Sequence, residues 1–110
     1  MTREEILRAA QKCVCGDRDK DYGSPEKSFE AIAGLWNDYL CSAGVIKTSE
    51  TLKELLSQRV ITAKDVAVMM VLFKCARIAT GHGKDDNWID IAGYAACGGE
   101  VERGNNESDA

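Results

Sequence analysis

The sequence predicts an all-α domain: a compact four- or five-helix bundle that self-associates. Three observations carry this. Apolar residues recur at three- and four-residue spacings, with no strand alternation of useful length and no internal repeat. Capping residues precede the periodic runs, and glycines close them. One run is apolar nearly all round, which suits the centre of a core or a face shared with a partner chain.

Thr2, with Glu5 three positions later, has capping-box spacing. Ile6, Leu7, Ala10, Cys13 and Val14 follow on one face, so a first helix is predicted up to Gly16. A charged loop, Asp17 to Gly23, comes next. Ser24 as cap and Pro25 at the first helical position open a second helix over 25–42, with an inward stripe of Phe29, Ile32, Ala33, Trp36 and Leu40. Residues 50–58 fit either a short helix, with Leu52, Leu55 and Leu56 inward, or a mobile excursion. Thr62 with Asp65 repeats the start signal and opens the apolar helix, which runs to about Thr80. Lys74 and Arg77 are the only charges in its apolar body. Gly81-His82-Gly83 stops it, and Asp85 caps a last helix expected to end at Gly98-Gly99. Gly93, within that helix beside Ala92, Ala95 and Ala96, fits either a close helix approach or simple tolerance.

The 110 residues make one domain, expected over 1–99, with 100–110 as an acidic disordered tail. That tail holds four acids and one base, most of the chain's net charge of -4, so the body is nearly neutral. No large basic stripe is present, which argues against duplex DNA as a partner. The longest strictly apolar run, Val66 to Phe73, is far short of the roughly 20 residues that cross a bilayer, so no membrane is expected. Nothing at the start reads as a signal peptide, and the five cysteines, an odd number, read as reduced thiols; a cytoplasmic location is expected. A structural zinc site is not expected, because Cys13-x-Cys15 has the wrong spacing and His82 is the single histidine.

The charges on the last two helices form the leading candidate site. In an antiparallel hairpin turning at 81–84, residues whose numbers sum to about 165 lie level. Lys74 then lies near residue 91 and Arg77 near residue 88, with Asp86 and Asp90 flanking those heights. One reading is a pair of structural salt bridges that fix the register, for instance Arg77 with Asp90, strongly coupled if buried. The other is a ligand site, with Lys74 and Arg77 for phosphate and Asp86 and Asp90 for a divalent metal or a sugar hydroxyl. Lys20 and Tyr22, in the charged loop, are candidates to reach the phosphate or base of the same ligand; a solvated turn is the simpler reading. Glu26 and Glu30, one turn apart, fit a shared metal or an ordinary solvated face. His82 reads as a turn residue rather than a catalyst.

Lys20-x-Asp-Tyr-Gly23, Phe29-x-x-Ile32, Leu35-Trp36, Asp65-Val-Ala-Val-Met-Met70, Lys74-x-x-Arg77-Ile78 and Asp86-x-x-x-Asp90-Ile-Ala-Gly-Tyr-Ala95 occur in that order. The set resembles a family of small phage and prophage proteins of uncharacterised function, over about residues 15–99 without 43–61. More remotely it is similar to nucleotide-modification-associated phage proteins, which share the Asp-Tyr-Gly, Lys-x-x-Arg-Ile and Asp-x-x-x-Asp segments. It is also similar, most weakly, to MazG-like all-α nucleotide pyrophosphohydrolases. Those hold magnesium with Glu-x-x-Glu and Glu-x-x-Asp; here the pairs Glu26/Glu30 and Asp86/Asp90 are spaced by four, and the second has no glutamate. The resemblance implies a bacterial-host cytoplasm and a nucleotide or other phosphate-bearing small molecule. If there is turnover, it implies metal-dependent nucleotide hydrolysis with magnesium. The same residues serve non-enzymatic sequestration of a host nucleotide or signal. A structural or interaction module without a small-molecule ligand is the third reading.

Overall fold

The computed structural model describes residues 1–16, 24–46, 60–83 and 85–109, with side chains up to residue 104. It is all-α. Helices α1 (Arg3–Cys15), α2 (Pro25–Ser42), α3 (Ala63–Ala79) and α4 (Asp85–Asp109) follow in order, with no strand among the described residues. The possible short helix at 50–58 lies outside them.

The first three starts follow the capping chemistry expected from sequence, whereas Asp85, expected as the cap of α4, is instead the first residue of that helix. Thr2 Oγ1 accepts from Glu5 N–H at 3.1 Å, and Ser24 Oγ from Lys27 N–H at 3.4 Å. At α3 the capping box is complete: Thr62 N–H donates to Asp65 Oδ2 at 3.0 Å, and Asp65 N–H to Thr62 Oγ1 at 3.5 Å. The hydrogen bond from Thr62 N–H is the main reason the Asp65 carboxyl sits below its usual pKa. Partial burial opposes it, while the Thr62 hydroxyl and the charge of Lys64 add to the lowering.

The α3–α4 turn is closed by a Schellman motif. His82 N–H donates to Arg77 C=O at 2.8 Å and Gly81 N–H to Ile78 C=O at 3.1 Å. Gly81 has φ +75°, open to glycine at little cost. Gly83 is constrained twice, by φ +82° and because a Cβ there would run into the Asn87 amide. Asn87 is buried and its Nδ2 donates to His82 C=O at 2.6 Å, so one amide ties the turn to α4. The same type of closure ends α2, with Val45 N–H on Leu40 C=O at 2.9 Å.

Helices α3 and α4 share the most extensive contact; α1 lies on α4, and α2 lies mainly on α3. The core cluster is Phe29 and Ala33 from α2, Val66 and Ala67 from α3, and Cys97 and Val101 from α4. Small residues mark the close approaches. A Cβ at Gly98 would come within 2.8 Å of Ala67 Cβ, and one at Gly93 within 3.2 Å of Val14 Cγ1. Gly93 is therefore a site of helix approach.

This packing corrects the expected boundary at residue 99. Glycines 98 and 99 do not end the last helix, and residues from 100 onward are not a disordered tail at their start. The helix continues to Asp109, and Val101, at 3% exposure, belongs to the core. The pair reads as a stop signal, but Gly98 is needed for contact with Ala67. The apolar α3 is not wholly enclosed. Val66 and Ala67 are buried, whereas Val68, Met69, Leu72 and Phe73 face outward and are exposed.

Adjacent glycines should respond with opposite signs. Gly99→Ala has nothing within 4 Å of the new methyl and should stabilise by up to about 1 kcal/mol through helix propensity. Gly98→Ala should destabilise by about 1–2 kcal/mol, because forcing Ala67 aside outweighs that gain. Chemical denaturation of the two variants checks this.

Because the Asp65 pKa is lower folded than unfolded, the capping box contributes stability above about pH 4, lost as pH falls through the folded value. The stability gap between wild type and Asp65→Asn should therefore shrink as the pH falls from about 5 into the acid range below the ordinary carboxylate value. Urea unfolding across that range measures it.

Candidate functional site

The α3–α4 hairpin places Lys74 level with Asp90, within a residue of the register expected from the turn. Lys74 Nζ lies 3.1 Å from Asp90 Oδ2, and the two side chains are 19% and 30% exposed. Among the described residues the other ion pairs are Arg8–Glu4 at 2.7 Å and Met1 N-terminus–Asp85 at 3.7 Å. Lys74–Asp90 is the least exposed of the three.

The expected Arg77–Asp90 pairing is corrected: Asp90 is matched with Lys74. The reason is angular. Residues three apart on a helix differ by about 60° around its axis. When Lys74 points at α4, Arg77 points past it. Arg77 is exposed and forms no ion pair with a described residue, although its carbonyl is held by the Schellman bond and by the Thr80 hydroxyl at 3.3 Å. Asp86 is exposed in the first turn of α4, where a carboxylate complements the helix dipole. The hairpin thus brings all four charges to one end, but pairs only two. Lys20 and Tyr22 lie outside the described residues.

Glu26 and Glu30 line a cleft of about 230 Å³ between α2, the start of α3 and Val101 of α4. Gly34, Asn37 and Thr62 complete its polar side. No three His, Cys, Asp or Glu side chains converge to hold a metal among the described residues. Asp90 carries a lysine where a metal-binding carboxylate would need to be open, so of the Asp86/Asp90 pair only Asp86 is uncommitted.

Asn37 was not legible as a key residue. It is 8% exposed, and its amide spans one residue: Nδ2 donates to Ile61 C=O at 2.9 Å while Oδ1 accepts from Ile61 N–H at 3.1 Å. The available signal is its place in the inward run Phe29, Ala33, Asn37, where a polar residue demands a partner. His82 is occupied by the turn, with Nδ1 donating to Thr80 C=O at 2.9 Å.

The arrangement defines a class: an all-α protein with a helical hairpin that ends in a cation–carboxylate cluster, and with no helix among the described residues long and apolar enough to cross a membrane. Residues 5–102 match the family described as "Domain of unknown function (DUF6378)", and the chain belongs to that family. It is 38% identical over 101 residues to the Gene 55 protein of Mycobacterium phage D29, covering 91% of this chain and 53% of that protein. To the Gene 55 protein of Mycobacterium phage L5 it is 39% identical over 90 residues, covering 82% of this chain and 47% of that protein. The chain spans about half the length of these curated relatives. The phage resemblance is thereby shown; these names carry nothing toward the nucleotide-modification or MazG-like resemblances. No solved structure matches the chain.

A double-mutant cycle on Lys74→Met and Asp90→Asn should give a coupling of about 1 kcal/mol, between the values for exposed and buried pairs. The same cycle on Arg77 and Asp90 should give a coupling close to zero. Thermal or urea unfolding of the six distinct proteins in the two cycles checks both.

Proposed function

We propose that this phage-type protein binds a phosphate-bearing small molecule, a nucleotide by class, at the open end of the α3–α4 hairpin. The observation that supports this best is the exposed Arg77 guanidinium one turn from the half-buried Lys74–Asp90 pair. A guanidinium offers a planar fork to phosphate, and Arg77 can do so without first breaking an ion pair with a described residue. Lys74 is neutralised by Asp90, so it supports the site as a positioning group rather than as a free charge. Asp86, exposed one turn before Asp90, would accept a ribose hydroxyl or join a magnesium ion beside the phosphates. Lys20 and Tyr22 join this reading from sequence alone. The host cytoplasm is the matching location. Sequestration without turnover needs only these groups; hydrolysis needs the metal as well.

A specific observation favours a second reading, an interaction module: the outward face of α3 is apolar and bare.

A thermal-shift panel of nucleoside mono-, di- and triphosphates and cyclic nucleotides, with and without magnesium, tests the ligand reading. At least one member should raise Tm, and Arg77→Ala should weaken that ligand by about 10-fold or more, the loss of one charge-assisted hydrogen-bonding group. A metal role for Asp86 predicts weaker binding with chelator. A hydroxyl role predicts no chelator effect and weaker binding of the deoxy form. If nothing in the panel shifts Tm, the cluster is a structural ion pair and the interaction module is the function.

A further inference from the structure

The outward side of α3 is apolar from its second turn to its end. Val68 is 52%, Met69 40%, Leu72 61% and Phe73 52% exposed, and Cys75, Ala76 and Ala79 are exposed beside them. At about 100° per residue these seven occupy an arc of about 160°. After Asp65 no charged residue falls inside it. Together they leave on the order of 500 Å² in water, toward the upper end of what a single patch on a monomer carries. The interior behind them is thin: among the described residues, Val66 is the one large side chain buried completely.

We propose that a second copy of this chain covers this face, the two α3 helices packing antiparallel about a two-fold axis at Leu72. The distribution of bulk selects this occupant and this direction. The large side chains, Val68, Met69, Leu72 and Phe73, stand in the first part of the face; the small ones, Cys75, Ala76 and Ala79, stand in the last. A two-fold axis at Leu72 brings the two Leu72 side chains together and sets Met69 level with Cys75 of the second copy and Val68 level with Ala76 of the second copy, so large meets small on either side of the central leucine contact. Parallel pairing would set large on large at one end and leave a gap at the other. Two such faces together bury up to roughly 1,000 Å², the size at which specific association begins.

Sedimentation velocity of the full chain, from micromolar to sub-millimolar concentration, should show a reversible monomer–dimer equilibrium. Leu72→Glu should abolish the dimer and leave far-UV circular dichroism unchanged. Should that variant fail to fold, cysteine cross-linking reads the same contact. With Cys15→Ser and Cys75→Ser as background, Leu72→Cys should form a covalent dimer under a short bifunctional thiol reagent, and Leu35→Cys should not. A wild-type chain that stays monomeric at sub-millimolar concentration overturns the proposal. So does a dimer that survives Leu72→Glu, or cross-linking at Leu35→Cys in place of Leu72→Cys.

Discussion

The approach of α3 to α4 at Ala67 and Gly98 is the constraint on which the rest of the structure depends. Two helices with nothing larger than a methyl group between them come close enough to bury Val66 entirely. That proximity carries α4 onward beneath α2, so that Val101 joins Phe29 and Ala33 in one cluster. It also fixes the hairpin height at which Lys74 meets Asp90. A larger residue at position 98 would pry apart the pair of helices that supplies most of the core.

The ion pair acts at the opposite end of the same hairpin. Its side chains are shielded enough to couple, yet open enough to exchange with water, so it fixes register more than it adds stability. The Schellman turn and the Asn87 amide already hold the short connection. Turn, ion pair and glycine contact thus restrain one hairpin at three heights. The outward side of α3 takes no part in any of them, which leaves its composition available for association.

Much of this was legible in the sequence because the signals were local. Thr2, Ser24-Pro25 and Thr62-x-x-Asp65 mark helix starts through hydrogen bonds spanning three residues, and Gly16 and Gly81 mark ends. The hairpin height followed from the length of the turn. What failed was non-local. Gly98-Gly99 has the composition of a terminus, and only the neighbouring Ala67 shows that Gly98 serves contact instead. The choice between Lys74 and Arg77 as the partner of Asp90 depends on how α3 is rotated about its axis. Its nearly uniform apolarity left that rotation undetermined. Asn37 depends on Ile61, 24 positions away, which no local pattern reports.

The Asn37 clamp has a topological consequence. By gripping both backbone groups of Ile61, it fastens the entry to α3 directly onto α2 across 24 positions of sequence. Closing a connection costs only about 0.6 kcal/mol more for each doubling of its length. One side-chain amide therefore serves as a long-range anchor whose entropic cost depends little on how many residues it encloses.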